Sequence, residues 1–358
     1  MPQSLGLRFW PATDVGRVRN QNEDSFLVDR KLNLFIVADG MGGHAAGEVA
    51  SQLAVRTVRS ALAREMGALM EFAQSRGNTS RKDILRLLES SVQQACSMVH
   101  SEGIKDESKR GMGTTLDALL IVGARGFIAH VGDSRIYLYR QGSLHQLTED
   151  HSLINELMKR GRLSREMIEK MQYKNAVTRA VGVYENVDVD VFDFDILGGD
   201  RFLVCSDGLY SYLEEGELRK LIEDNPSEQI TRMLIDLANE RGGKDNITSI
   251  FIEVPPEISG VDTRAEDLNL KIEVLQKMPL FRFLSYQELV RVLNITEVRE
   301  FGPNETIVEQ GGQGDELFIV LEGLVRVHSR DALITRLGPG QHFGEMALID
   351  KSPRSASV

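Results

Sequence analysis

Hydrophobic and polar positions alternate along this chain in two distinct rhythms. Short apolar runs over Leu32–Ala38, Thr114–Val122, Gly126–Val131, Arg201–Cys205 and Ile247–Val254 predict buried strands, with further strand-like stretches at Ser25–Val28 and Arg135–Tyr139. A helical period begins near Ala45, where Val49, Leu53, Val58 and Leu62 share one face, and recurs over Lys82–His100 through Ile84, Leu87, Leu88, Val92, Ala95 and Val99. Residues 64–80 mix Met, Gly, Ser and Asn and predict a loop. Thr148–Arg179 predicts a polar helical cover, and residues 214–241 predict further helices. Strand runs and helix pairs follow one another without a strand–helix–strand rhythm. The pattern therefore predicts an α+β fold with antiparallel sheets flanked by helices.

Pro255-Pro256 stops the last long strand, and residues 255–267 are polar and turn-rich, as expected of a linker between a domain over 1–254 and a second over 268–358. The second predicts helices at Leu268–Gln276 and Ser285–Leu293. Short strands follow at Thr306–Val308, Glu316–Leu321, Leu324–His328 and Ala332–Leu337, punctuated by glycines.

Composition narrows the function without naming it. With 42% hydrophobic and 27% charged residues, the 358-residue chain reads as an ordinary globular protein, and its net charge of −11 argues against nucleic acid or an anionic membrane as partner. No apolar run reaches the length of a membrane span, and Cys96 and Cys205 offer neither a disulfide framework nor zinc spacing, so a reducing cytoplasm is the expected compartment.

Candidate chemistry lies where strands end. Asp39, Asp133 and Asp207 each stand just beyond an apolar strand and beside a glycine; Asp24 opens a strand after the polar run from Arg17, and Asp245 precedes the last strand. Each alone reads as a turn former. Together they could meet at one edge of the sheets, where uncompensated carboxylates would repel one another unless hard divalent cations, Mg²⁺ or Mn²⁺, sat among them. Two such ions and a shared water would supply a nucleophile for in-line attack on phosphorus, with Arg19 as a planar donor to phosphate oxygens and Glu23 as helper to Asp24. A cysteinyl phosphatase is excluded by spacing. Six residues after Cys205 stands Ser211 and six after Cys96 stands Glu102, not Arg, so both thiols are expected in the core.

On Arg19–Asp24, Asp39-Gly40-Met41-Gly42-Gly43, Gly113-Thr114-Thr115, Gly132-Asp133-Ser134-Arg135, Ser206-Asp207-Gly208 and Asp245-Asn246, in that order, residues 6–254 resemble the PP2C (PPM) family of metal-dependent serine/threonine protein phosphatases in its bacterial form. The resemblance implies an αββα sandwich, phosphorylated serine/threonine proteins as partners, and a dinuclear Mn²⁺ or Mg²⁺ centre. Asp39 would bridge both ions, the Gly40 carbonyl would hold one, Asp24, Asp207 and Asp245 would complete the set, and Glu23 would act through water. Asp133 with Asp207 would hold a third ion, Arg19 would bind the phosphate, and residues 150–180 would form a flap. Met41 stands where many eukaryotic members carry a histidine, and no motif gives His44 that role, so the leaving-group acid is unassigned. The other functions weighed are a catalytically inactive phosphoprotein scaffold and a hydrolase of small phosphate esters.

From Leu275 onward, Gly311, Gly314, Asp315 and Gly323, then Phe343-Gly344-Glu345 and Pro353-Arg354-Ser355, resemble a cyclic-nucleotide-binding domain. A short helix after Gly344 would present backbone N–H groups to an anion, and the resemblance carries Glu345 to the ribose 2′-hydroxyl, Arg354 to the cyclic phosphate and Ser355 to the choice between cAMP and cGMP. The chain ends at Val358, where the family continues. The β-roll is thus expected to be incomplete and nucleotide binding by it weak or absent.

Overall fold

The structure, a computed structural model, describes residues 6–42, 45–159, 176–256, 270–272, 274–281, 284–330, 332–346 and 353–358. Its contacts divide the chain into two compact units, Met1–Gly260 and Val261–Val358.

The first unit contains strands β1 (Arg8–Asp14), β2 (Ser25–Asp29), β3 (Leu34–Ala38), β4 (Gly40–Met41), β5 (Gly113–Thr114), β6 (Leu116–Val122), β7 (Arg125–Val131), β8 (Arg135–Arg140), β9 (Ser143–Gln146), β10 (Asp190–Asp195), β11 (Arg201–Cys205) and β12 (Ile247–Glu253). They form two five-stranded sheets, ordered β1-β12-β11-β8-β9 and β10-β7-β6-β3-β2, plus the small β4-β5 pair. Every pairing is antiparallel.

The period of two in each strand explains the layering. In β3, Leu34, Ile36 and Ala38 join the cluster beneath α1 (Ala45–Arg64) and α3 (Arg81–Lys105). Phe35, on the opposite face, meets Phe9 of the other sheet edge-on at 5.5 Å. Phe202 and Phe194 make a second contact between the sheets, with ring centroids 5.8 Å apart. On the far side, Leu203, Cys205, Ile247 and Phe251 pack against helices Glu217–Asp224 and Ser227–Glu240. The result is the expected sandwich with helices outside.

Several local expectations are corrected. Within 64–80 the chain forms α2 (Met66–Ala73), because Leu69 and Phe72 insert into the core and Phe72 packs edge-on against Phe127. The second helix starts at a Ser80–Asp83 capping box and runs on to Lys105, past the His100 end read from sequence. In the 148–179 stretch the described residues include helix α4 (Leu153–Lys159), and Val177 bridges back to Ser152; residues 160–175 of the expected helical cover lie outside the described residues. Strands β9 and β10 were not anticipated. The alternation Asp-Val-Phe-Asp-Phe-Asp makes β10 an edge strand whose acids Asp193 and Asp195 pair with Arg125.

The second unit has helix Tyr286–Leu293, capped by Ser285 and Glu288, and strands β13 (Phe318–Ile319), β14 (Val325–Ser329), β15 (Ala332–Leu337) and β16 (His342–Phe343). Thr306–Val308 is not a strand. Ile307 and Val308 instead exchange backbone hydrogen bonds with Val358. Residues 268 and 269 of the expected first helix, and most of the linker, lie outside the described residues.

Candidate metal centre

The sandwich brings the strand-end acids together. Asp39 follows β3 directly, and its backbone is held from both sides. Its N–H donates to Thr115 Oγ1 at 2.9 Å, and its carbonyl accepts from Thr115 N and Thr114 Oγ1, each at 2.9 Å. Thr115 Oγ1 lies 2.8 Å from Ser134 Oγ, so the same hydroxyl pair ties Asp39 to the turn that carries Asp133. Gly40 has no room for a side chain. A Cβ there would overlap the carbonyl oxygens of Gly47 and Glu23.

Asp24, 8% exposed, accepts from Ser206 Oγ through Oδ2 at 2.8 Å, and its Oδ1 is buried with no partner. Glu23 is positioned by Asn246, whose Oδ1 accepts from the Glu23 N–H at 2.8 Å and whose amide donates to the carbonyls of Val15 and Gln21. The Glu23 carboxylate lies against Gly47 in the first turn of α1, where any Cβ would collide with it. Asp207 opens the short helix Asp207–Tyr210 beside Asp39. Asp245 Oδ2 accepts from Arg19 Nη2 at 2.8 Å, at the solvent-facing rim. Asp133, 7% exposed, sits between β7 and β8, and its carbonyl accepts from Tyr210 O–H at 2.8 Å.

These placements leave several negative charges in a poorly solvated space. Burial, and then the charges of Asp24, Asp207, Asp133 and Asp245, push the Asp39 carboxyl well above the usual carboxylate range. Burial raises Asp24 to about 7, opposed by hydrogen bonds from Thr248 and Ser206. Asp133 is raised to about 7 by burial, Asp207 and Asp150. Asp207 is raised by burial and by Asp245. Among the described residues no three such groups already stand at the spacing of a bound ion, and Arg19 is turned onto Asp245. The donor set is nevertheless all oxygen, and Asp24 Oδ1 is a desolvated acceptor in want of a positive partner. Both fit hard divalent cations.

Of the residues expected at this site, Asp24, Asp39, Gly40, Asp133, Asp207, Asp245, Glu23 and Arg19 are drawn to one end of the sandwich. His44 lies outside the described residues. Sequence reasoning quoted Ser206 and Asn246 in motifs without giving them a role, and passed over Gly47 and Asp150. The last holds Arg135 by two bonds of 2.9 and 2.7 Å, while the Arg135 guanidinium lies 3.6 Å over the Tyr210 ring. Ser206 and Asn246 each sit beside a candidate acid in sequence, which was the available signal. Both thiols are fully buried and their acidity is suppressed, as expected of core residues.

Residues 17–250 match the family model described as protein phosphatase 2C. The chain belongs to the protein phosphatase 2C family. It is 38% identical over 245 residues to the serine/threonine phosphatase stp of Listeria innocua, covering 67% of this chain and 93% of that one. It is likewise 38% identical over 250 residues to the protein phosphatase PhpP of Streptococcus pneumoniae, covering 68% and 96%. The solved serine/threonine phosphatase PstP/Ppp of Mycobacterium tuberculosis superposes with a TM-score of 0.60 at 34% identity, over 70% of this chain and 99% of that one. A solved PstP catalytic domain, in complex with two manganese ions, matches with a TM-score of 0.58 at 34% identity, over 70% and 98%. This PP2C-family chain is an enzyme, a serine/threonine protein phosphatase.

Residues 298–358 match the cyclic nucleotide-binding domain model. In the second unit Arg354 is 8% exposed and spends its donors on backbone carbonyls, Nη1 on Gly344 at 3.1 Å and Nη2 on Glu316 at 3.0 Å. Gly344 is required there, since its φ is +87° and a Cβ would strike the Glu316 carbonyl as well as the guanidinium, while Gly314 lies against the same guanidinium. Ser355 is exposed and Glu345 half-buried, and no hydrogen bond ties either to Arg354. The structure thus joins Gly344 to Arg354 and engages the guanidinium with two backbone carbonyls. Residues 347–352 lie outside the described residues.

Proposed function

We propose that the first unit hydrolyses phosphoserine and phosphothreonine in proteins, phosphorylated by a cognate kinase, using two Mn²⁺ or Mg²⁺ ions and a third, weaker one. Asp39 would be shared between the first two, with the Gly40 carbonyl, Asp24, Asp207 and Asp245 around them and Glu23 acting through water; Asp133 with Asp207 would hold the third. When bound, the ions supply an acidified water and neutralise phosphate charge. The observation that carries the reading is the meeting of Asp24, Asp39, Asp133, Asp207 and Asp245, so close that each of the first four is raised by burial and by neighbouring acids.

The chain's own residues contribute positioning. Arg19, half-exposed on the rim, leaves Asp245 and offers its parallel N–H donors to two phosphoryl oxygens. Thr114 and Thr115 hold the Asp39 backbone so that its carboxylate faces the other acids rather than solvent. Ser206 fixes one oxygen of Asp24 and leaves the other free. Phosphopeptide hydrolysis with Mn²⁺, with EDTA and with Asp39→Asn tests this. Turnover that survives either the chelator or the substitution refutes it.

For the second unit, we propose binding of cAMP or cGMP as an effector, within a division of the chain into a phosphatase domain over 1–254, a linker over 255–267 and a nucleotide-binding domain over 268–358. The match of residues 298–358 to the cyclic nucleotide-binding domain model supports it. Titration calorimetry with each nucleotide, together with phosphatase rates in its presence, decides the matter; no heat and no change in rate would end the proposal.

A further inference from the structure

Two loops close the rim of the metal centre and interlock. Arg17 N donates to Gly243 O at 2.7 Å, Asn246 binds the carbonyls of Val15 and Gln21, and a Cβ on Gly16 would overlap the Asp245 carbonyl. The Arg17 side chain lies across Gly243, where a Cβ would come 2.9 Å from its Cγ. Beside it, Lys244 fixes its own backbone by donating N–H to Tyr212 O–H at 2.8 Å. The loops thus hold Arg17 and Lys244 at fixed stations flanking the Arg19–Asp245 pair. Both side chains are exposed and, among the described residues, neither has an ion-pair partner. The nearby Arg241, by contrast, is neutralised by Glu217 through two bonds. The segment Val15–Asn22 contains two arginines and no acid, on a chain whose net charge is −11.

A local positive rim on an acidic protein attracts anions to one place and repels them elsewhere. We infer that Arg17 and Lys244 form a specificity subsite for a second anionic group, a carboxylate or a further phosphoryl, close in sequence to the phosphorylated residue of the substrate. This rests on the phosphatase reading above. Because both cations are solvent-exposed, the preference is one of rate and low-salt affinity, and it fades as salt rises above ~0.15 M.

The test compares three peptides around one phosphothreonine: flanked by serines, flanked by aspartates, and carrying a second phosphothreonine two residues away. At low salt the wild-type protein with Mn²⁺ is expected to show kcat/KM about tenfold higher for either anionic peptide than for the neutral one. Arg17→Glu/Lys244→Glu is expected to bring that ratio to one or below, while Arg64→Glu, a single charge reversal at the far end of α1, leaves it unchanged. If only the doubly phosphorylated peptide is favoured, the second anion is a phosphoryl; if both are, a carboxylate suffices. Equal rates on all three peptides, or a ratio untouched by the double reversal, would overturn the subsite. Fluorescence anisotropy of the same labelled peptides reads the preference without turnover. A chain that hydrolyses none of them thus refutes the phosphatase reading, while the binding ratio still decides this one.

Discussion

Arg19 donates to Asp245 across 2.8 Å, which joins the residue proposed to grip phosphate to one proposed to hold a metal. The contact is made at the protein surface, where the two side chains are 50% and 39% exposed. An ion pair this exposed contributes little to stability, within ~1 kcal/mol. Its value is that Arg19 stands preset over the cluster and can change partner at low cost.

Arg19→Ala should therefore separate binding from folding. The melting temperature is expected to move by no more than a few degrees, while kcat/KM for a phosphopeptide falls by ~100-fold, since a charge-assisted bidentate contact is lost. Arg19→Lys should recover only part of that loss. A drop in melting temperature as large as the drop in activity would point to a structural role instead.

The raised carboxyls fix the sign of a pH effect. Asp24 and Asp133 are held at about 7 against an ordinary value of 3.8. Because the folded value is the higher, the stability they contribute is complete below the unfolded value and is lost as pH rises through 7. In EDTA the protein should melt at a higher temperature at pH 6 than at pH 8. Mn²⁺ should reverse that order, because cations bind the deprotonated set. Asp39→Asn should raise the melting temperature in EDTA at pH 8 and abolish turnover. Thermal melts at the two pH values, with and without the metal, check all three outcomes.

Gly208 marks where the metal-site loops touch. A Cβ there would overlap the Asn246 carbonyl, which is backbone and cannot swing aside. Gly208→Ala is expected to cost about 2–3 kcal/mol and to weaken Mn²⁺ activation, because displacing Asn246 releases Glu23 and the 15–23 loop. Denaturant midpoints and a Mn²⁺ titration would reveal it. Gly142→Ala, where nothing lies within 4 Å, serves as the comparison, although its positive φ adds a small strain.

Remote from the acids, Arg140 and Asp200 form a buried pair with two bonds of 2.7 and 2.6 Å and side-chain exposures of 2% and 1%. Removing one partner strands a charge, so Asp200→Asn or Arg140→Met alone should destabilise by about 3–5 kcal/mol. The combination Arg140→Met/Asp200→Leu should recover much of that, and kcat at a permissive temperature should be unchanged in all three. Urea unfolding followed by fluorescence gives the comparison.

Thiol chemistry should be irrelevant to turnover. Cys96 and Cys205 are fully buried, and burial pushes both thiols up, leaving no thiolate to react. Iodoacetamide on the folded protein, and Cys96→Ala, are expected to leave phosphopeptide hydrolysis intact. Inactivation by alkylation without unfolding would contradict this.

What the sequence determined by itself was the class of fold, and it named the candidate acids. Apolar strands ending in Asp39, Asp133 and Asp207 are visible in one dimension, because a strand's period and a turn's chemistry are local. The helical faces of α1 and α3 were legible for the same reason. The tertiary structure decided what depends on contacts between distant segments. Leu69 and Phe72 turned a presumed loop into α2 by burying themselves beneath a sheet. Ser206 became the orienting partner of Asp24, 182 residues away, and Asn246 the clamp on residues 15–23. Arg354 is matched by sequence to a phosphate-binding position, but only packing shows that its guanidinium donates to the carbonyls of Gly344 and Glu316. Strand ends announce their residues. Which of those residues face one another, and at what electrostatic cost, follows only once two sheets stack and bring their edges together.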